Sequence, residues 1–168
     1  LNTLRWAKRQ GAVCGPALSL LNPEGQALAG DPIAATLALL RSGRIVAIKG
    51  LGGFHLVCDA RQAAVVAALR QRKSREEKPF AVMVANLASL HGLAQPGEAE
   101  ARLLCSAERP IVLLRKAGGV DRRLPGVAPG LAWLGAMLPY TPLQVLLFHE
   151  AAGRPPDAGA LDRAQALV

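Results

Sequence analysis

Short apolar runs alternate along the chain with stretches in which apolar residues recur at helical spacing. The runs predict strands, which lie at residues 17–21, 45–48, 80–84, 111–114 and 133–137. The helical stretches predict helices, which lie at residues 62–71, 87–90, 99–105 and 143–149. Asp31-Pro32 adds the start of a further helix, with Asp31 as its N-cap and Gly43 at its end. Strands that alternate with helices indicate the α/β class.

Two stretches rich in glycine and proline interrupt this alternation. Residues 1–30 show little periodicity, so we expect a loop with one short strand that packs against the main domain. Residues 118–130 carry four glycines and two prolines, which predict a loop or hairpin region. A chain of 168 residues is long enough for one domain, and we expect a single core.

Composition and charge narrow the possible partners. Hydrophobic residues make up 51% of the chain and charged residues 19%, which predicts a globular protein and not a disordered one. No apolar run reaches the roughly 18 residues that a membrane span needs, and no signal peptide is evident, so a cytoplasmic setting is expected. The net charge of +8 predicts a polyanionic partner such as a nucleotide, a nucleic acid or an acidic surface. Aromatic residues are 4% and do not interleave with the basic residues, which argues against nucleic acid.

Residues 49–53 and 70–79 carry the groups that could bind a ligand or take part in catalysis. Glycines in Lys49-Gly50-Leu51-Gly52-Gly53 let backbone N–H groups approach an anion, although a tight turn that needs positive φ explains them equally well. Five cations follow the predicted helix at 62–71: Arg70, Arg72, Lys73, Arg75 and Lys78. A helix C-terminus favours cations and explains some of them, while the rest could surround a triphosphate.

Histidine and cysteine give no clear catalytic pattern. His55 is more typical of a packed or hydrogen-bonded side chain than of a metal ligand or nucleophile, and Cys58 is more typical of a core residue than of a catalyst. Cys14, Cys58 and Cys105 are odd in number and widely spaced, which favours free thiols over disulfides.

Four motifs in order carry a resemblance to a known family. These are KGLGGFHLVCDA at 49–60, RKSREEKPFAVM at 72–83, ERPIVLL at 108–114 and VAPGLAWLGAMLPYTPL at 127–143. Together they resemble the hydrogenase maturation carbamoyltransferase HypF, and within it the YrdC-like domain. The resemblance implies a twisted mixed sheet flanked by helices over residues 31–168, preceded at 1–30 by the remnant of a linker from a zinc-finger region.

The resemblance also implies an activity. In this family, carbamate derived from carbamoyl phosphate reacts with ATP and Mg²⁺ to give carbamoyl adenylate and pyrophosphate, and the carbamoyl group later passes to HypE. The matching positions imply Lys73 and Arg75 as catalytic residues that stabilise charge as pyrophosphate leaves. They further imply an ATP site formed by Lys49, Gly52, Gly53, Arg72, Lys78, Pro139, Tyr140 and Thr141.

The chain also departs from the family pattern. It ends at Val168, before a T-S-A-N-x-x-G-E-P segment that in this family contributes to the nucleotide pocket. We therefore expect an incomplete domain, and whether it is active without that segment is left open. Cys14 matches the end of a zinc-binding pair whose first position is Gly11 here, so zinc is expected only upstream of this chain. Gln144 and Val145 stand where histidines are common. A YrdC-like module that binds double-stranded RNA or tRNA, or an inactive fragment, remain as alternatives.

Overall fold

A computed structural model describes residues 1–9, 15–74, 78–154 and 166–167. The strands are β1 Asn2–Arg9, β2 Gly15–Leu21, β3 Val46–Lys49, β4 Phe54–Val57, β5 Ala81–Val84, β6 Val112–Arg115, β7 Trp133–Met137 and β8 Ala166–Leu167. The helices are α1 Pro32–Arg41, α2 Ala63–Arg72, α3 Glu98–Cys105, α4 Val120–Arg123 and α5 Pro142–Ala151, with a 3₁₀ turn at Leu87–Leu90.

The first sheet has the strand order β2-β1-β3-β4. β1 pairs antiparallel with β2 and parallel with β3, and β3 forms an antiparallel hairpin with β4. The predicted strand at 17–21 forms as β2, but the expectation of a loop over the rest of residues 1–30 was wrong, because β1 is also integral to this sheet. The sequence reasoning also missed β4. The domain boundary at residue 30 stays a prediction, although strands from both sides of it share one sheet.

The second sheet has the order β6-β7-β5-β8 and repeats the pairing pattern of the first. Its central pair, β5 and β7, is parallel, and each outer pair is antiparallel. Both sheets are mixed and both carry helices, which confirms the predicted α/β class. The predicted strands at 45–48, 80–84, 111–114 and 133–137 all form, each within a residue or two of its expected bounds.

Two clusters of buried apolar side chains replace the single core that we expected. One lies between the first sheet and helices α1 and α5, where Leu4, Val46 and Leu147 pack together. The other lies on the second sheet and includes Val66 and Leu69 of α2 together with Leu134. The division follows from the two sheets, since each buries its own apolar face against helices.

Helix capping positions α1, and buried apolar side chains position α4. Asp31 caps α1 as predicted, and its carboxylate accepts hydrogen bonds from the backbone of Ile33 and Ala34. Within the expected loop at 118–130, however, the structure forms the short helix α4. Val120 and Leu124 are both buried, which anchors this segment to the second core.

Candidate functional site

A cleft of about 290 Å³ opens between the two sheets. β3 and β4 supply one wall and β5 and β7 the other, while α2 and α5 contribute residues at its ends. Most of the lining is apolar, including Ile48, Leu56, Met83 and Met137. The polar side chains that line it are His55, Lys73, Tyr140 and Gln144. An apolar cleft with a few convergent polar groups is the usual form of a small-molecule site.

The basic residues at the end of α2 do not form one cluster. Lys73, the C-cap residue of α2, lines the cleft between the sheets. Arg72 lines a different cavity, of about 420 Å³, beside Leu1, Asn2 and Arg44. Successive helical residues point about 100° apart, so neighbours in sequence leave the helix on different sides. The structure thus places Arg72 and Lys73 at different cavities, and the expectation that both hold the same phosphates stays a prediction.

Arg70 holds the fold together. Its guanidinium donates to the carbonyl of Lys78 at 2.8 Å, to that of Gly126 at 2.6 Å and to that of Val127 at 3.3 Å. It also lies 4.6 Å from the centroid of the Phe80 ring. These contacts tie the end of α2 to the strand entering the second sheet and to the loop at 126–127. Arg70 is therefore a structural cation.

Two further predicted cations have different outcomes. Lys78 is exposed, and its carbonyl rather than its side chain is the group that Arg70 contacts. Arg75 lies outside the described residues, and its predicted catalytic role stays a prediction.

The glycine turn at residues 50–53 joins β3 to β4, with the Gly50 N–H donating to the Gly53 carbonyl at 2.7 Å. None of Gly50, Gly52 and Gly53 has the positive φ of a left-handed backbone, so backbone conformation does not explain why glycine occurs here. A Cβ on Gly50 would lie 2.8 Å from two His55 ring atoms, whereas one on Gly52 or Gly53 would meet nothing within 4 Å. Packing thus explains Gly50, while Gly52 and Gly53 leave open backbone at the turn.

Lys49 ends β3 directly before this turn. Its ammonium lies 5.2 Å from the centroid of the Phe54 ring, the residue with which Lys49 pairs across the hairpin. Phe54 is exposed, so the pair lies at the surface of the protein. The Lys49 charge therefore stands over an aromatic face beside the open backbone of Gly52 and Gly53.

His55 and Tyr140 form a hydrogen bond across the cleft. His55 lies on β4 of the first sheet, and Tyr140 lies between β7 of the second sheet and α5. The Tyr140 hydroxyl is 2.6 Å from His55 Nε2, and the two ring centroids are 5.8 Å apart. The expectation that His55 is hydrogen-bonded is confirmed. Its partner stands 85 residues away, and nothing in the local sequence pattern could have identified it.

The three residues predicted to share one wall, Pro139, Tyr140 and Thr141, face different surroundings. Tyr140 lines the cleft, but Pro139 lines a separate cavity of about 510 Å³ together with Arg109 and Phe148. Thr141 is buried as the N-cap of α5, and its side chain accepts a hydrogen bond from the Gln144 backbone. Of these three, Tyr140 is the one whose side chain reaches the cleft.

Gln144 is a residue that the sequence reasoning noted only as a departure from the family pattern. Its side-chain oxygen accepts from the backbone N–H groups of Tyr140 at 2.9 Å and Thr141 at 3.1 Å. This completes a capping box with Thr141. Gln144 thereby fixes the backbone that carries Tyr140 into the cleft, and the spacing T-x-x-Q was a signal that could have shown it.

Cys58 and Asp59 follow β4 and are both buried. Cys58 is fully buried in the second core, which confirms it as a core residue. Burial, and next to it the charge of Asp59, raise the pKa of its thiol to about 12. Burial alone would raise the pKa of the Asp59 carboxyl. Hydrogen bonds from Arg61, at 2.7 and 2.8 Å from the guanidinium, outweigh that effect and hold the pKa below its ordinary value.

In the described part of the chain, no three His, Cys, Asp or Glu side chains come together in a way that could hold a metal ion. Cys14 lies outside the described residues. None of the helices within the described ranges is long and apolar enough to cross a membrane.

Comparison with known proteins gives a consistent result. The family model described as telomere recombination, Sua5/YciO/YrdC, matches residues 38–155. The chain is 65% identical over 153 residues to the carbamoyltransferase HypF2 of Cupriavidus necator, a match that covers 90% of this chain and 19% of that protein. It is 46% identical over 129 residues to the carbamoyltransferase HypF of Rhizobium leguminosarum, covering 77% of this chain and 17% of that protein.

Solved structures agree with these relatives. The structure of T. kodakarensis HypF superposes with a TM-score of 0.78 at 39% identity, over 93% of this chain and 19% of that one. A full-length HypF in a phosphate- and nucleotide-bound form superposes with a TM-score of 0.72 at 34% identity, over 99% of this chain and 18% of that one. E. coli YciO, at 17% identity and a TM-score of 0.59, shares the fold.

The chain spans about a fifth of the length of the relatives it matches, with 17–19% of each curated protein covered in the two comparisons above. Its resemblance to HypF is confirmed at the level of sequence and fold. On the match over residues 38–155, the chain belongs to the Sua5/YciO/YrdC family, in the form that is built into HypF carbamoyltransferases.

Proposed function

We propose that this chain binds MgATP and forms carbamoyl adenylate from carbamate, as one step in HypF-type carbamoyl transfer to HypE. The observation that carries the proposal is the placement of Lys73. This cation, within the motif RKSREEKPFAVM, lines the cleft between the sheets of a chain that is 65% identical to a carbamoyltransferase. A full-length HypF structure described as nucleotide-bound supports the choice of nucleotide.

The proposed reaction needs little general acid or base catalysis. A carbamate oxygen attacks the α-phosphorus of ATP, the bond from that phosphorus to the bridging oxygen breaks, and pyrophosphate leaves with the bonding pair. Such a displacement depends on positioning and on stabilising negative charge, which an ammonium group in a largely apolar cleft can do. Mg²⁺ enters with ATP as part of the substrate.

The remaining predicted residues divide between two roles. Lys49, Gly52 and Gly53 lie together at the β3–β4 turn, where open backbone and a partly exposed lysine suit a phosphate or ribose. Arg75 and Lys78 follow Lys73 in sequence and stay in the proposal as phosphate-binding groups. Arg72 and Pro139 each line a different cavity, and their predicted part in ATP binding stays a prediction.

Titration calorimetry with MgATP tests the site. Lys73→Ala should weaken ATP binding roughly tenfold to a hundredfold, since it removes a charged donor from a partly enclosed site. Arg72→Ala is the matched control, because it removes a cation from the neighbouring position but from a different cavity. Equal losses in the two variants would show that binding depends on overall charge and not on the cleft.

Carbamate-dependent exchange of labelled pyrophosphate into ATP tests the reaction. Wild-type protein should exchange label only when carbamate is present, and Lys73→Ala should lower the rate by about a hundredfold or more. Exchange that is independent of carbamate would contradict the proposed substrate. ATP binding without any exchange would reduce the function to nucleotide binding.

A further inference from the structure

The His55–Tyr140 pair has no role in the function proposed above. It spans the cleft from one sheet to the other and is one of few polar features in an apolar lining. Gly50 packs closely against the pair, since a Cβ there would lie 2.8 Å from the His55 ring and 3.0 Å from the Tyr140 hydroxyl. Gln144 fixes the Tyr140 backbone from the other side. The pair is therefore held in place by the first sheet and by α5 together.

The polar groups of the cleft suit a small anion. Lys73 is the one Lys or Arg among the described residues that line it, and the amide oxygen of Gln144 is already engaged by two backbone N–H groups. Beyond Lys73, which the proposed function gives to the phosphates of ATP, the mostly apolar walls offer few partners for a second highly charged group. A planar anion with a single charge could instead bind near Lys73 and take its remaining hydrogen bonds from the pair.

From this placement we infer that the Tyr140 hydroxyl contacts the acyl donor, a small carboxylate-type anion, and that His55 is the positioning residue that turns the hydroxyl toward it. The carboxylate oxygens of such an anion can only accept hydrogen bonds. The anion therefore selects the arrangement in which His55 Nε2–H donates to the tyrosine oxygen and the hydroxyl hydrogen points into the cleft. The inference rests on the proposed function, in which that anion is carbamate, and it assigns Tyr140 to the acyl donor and not to ATP.

Tyr140 is the sole tyrosine of the chain, which allows a direct test. Tyrosine labelled with ¹³C at the ring carbon that bears the hydroxyl gives a single NMR signal. Adding freshly dissolved ammonium carbamate, or sodium acetate as a stable carboxylate of similar size, should shift this signal in a saturable way. Ammonium chloride and sodium chloride at equal ionic strength should leave it in place. A signal that fails to respond to either carboxylate would overturn the inference.

Substitutions separate contact from mere packing. In the exchange assay, Tyr140→Phe should raise the KM for carbamate by about tenfold to a hundredfold, as expected for a lost hydrogen bond to a charged group. Its ATP affinity should stay within about twofold of wild type. His55→Phe, which keeps a ring but removes the donor, should raise the same KM. His55→Gln, which places an N–H donor at a similar reach, should restore much of it.

Two outcomes distinguish this inference from the proposed function. If carbamate supports exchange and Tyr140→Phe leaves its KM unchanged, the pair only joins the two sheets and the inference is wrong. If wild-type protein shows no carbamate-dependent exchange, the proposed reaction is wrong. If the Tyr140 signal still responds saturably to carboxylates in that case, the anion site at Tyr140 stands although the reaction does not. If the signal does not respond, both the anion site and the reaction are wrong.

Discussion

The end of helix α2 and the start of helix α5 reach the same cleft, yet they distribute their neighbouring residues differently. At the end of α2 the backbone is helical, and Arg70, Arg72 and Lys73 leave it toward backbone carbonyls, a second cavity and the cleft. Before α5 the N-cap residue Thr141 has an extended backbone, and Tyr140 alone of residues 139–141 lines the cleft. A contiguous motif in either region is thus part binding site and part framework.

This difference shows what a sequence motif can and cannot identify. In both regions one residue faces the cleft while its neighbours hold the structure that positions it. Arg70 fastens the end of α2, and Thr141 caps α5. Substituting the framework residues should lower stability and leave ligand affinity alone, while Lys73 and Tyr140 should do the reverse. The following predictions test that separation, from the largest expected effect to the smallest.

Arg70→Ala should give the largest loss of stability. The substitution removes hydrogen bonds to the carbonyls of Lys78, Gly126 and Val127 and the contact with the Phe80 ring. We expect the free energy of unfolding to fall by about 2–3 kcal/mol, measured by urea denaturation. Arg72→Ala, two residues further on, should change it by less than about 0.5 kcal/mol. An Arg70→Ala protein of normal stability but weak ATP binding would assign Arg70 to the site and break the comparison.

Gly50→Ala tests the packing between the glycine turn and the cross-cleft pair. Its new methyl group would lie 2.8 Å from the His55 ring, so we expect a loss of about 1–3 kcal/mol from overpacking. Thermal or urea unfolding measures the loss, and the absorbance of the single tyrosine reports whether the Tyr140 environment has changed.

Gly52→Ala is the matched control in the same turn. A methyl group there meets nothing within 4 Å, so stability should be unchanged or should rise by about 0.4–1 kcal/mol through the unfolded state. Should the backbone of this turn contact ATP, Gly52→Ala will weaken ATP binding without any loss of stability. A stability loss equal to that of Gly50→Ala would show that the turn itself needs glycine.

Thr141→Ala should cost about 1 kcal/mol, because it removes the side chain that caps α5. Thr141→Ser keeps the hydroxyl and should retain most of the stability. Both variants should bind MgATP as wild type does, within about twofold, because Thr141 is buried in the cap and does not line the cleft. If Thr141→Ala weakens ATP binding and Tyr140→Phe does not, Thr141 is part of the ATP-binding wall, as the family motif implied.

Local patterns in the sequence predict most of the elements and part of the site. The apolar run before Lys49 correctly predicted β3, and Asp31-Pro32 correctly predicted the start of α1. Both predictions succeeded because apolar patterning and helix capping act over a few neighbouring residues. β1 was missed because the glycines and prolines of residues 1–30 outweighed the alternation in N-T-L-R-W. The splitting of Arg70, Arg72 and Lys73 follows from helical geometry and could have been predicted. The His55–Tyr140 pair could not, since it depends on how two sheets pack.

The start of α2 offers the last and smallest test, since Asp59 and Arg61 serve the fold there as Arg70 does at its end. The folded pKa of Asp59 is held below its ordinary value. Its contribution is therefore present above the unfolded pKa, near pH 4, and is lost as the pH falls through the folded value. Because Arg61 is half exposed, Asp59→Asn should cost only roughly 0.2–1 kcal/mol at pH 6.

Urea unfolding of wild type and Asp59→Asn at pH 6 and pH 3 measures this contribution. The difference in unfolding free energy should shrink at pH 3, where the wild-type carboxyl takes up a proton in the unfolded chain. Glu98→Gln is the control, because the Glu98–Arg102 pair is exposed on both sides and should contribute almost nothing at either pH. A difference that widens as the pH falls would mean that Asp59 is protonated in the folded protein. Arg61 would then not fasten the start of α2 as Arg70 fastens its end.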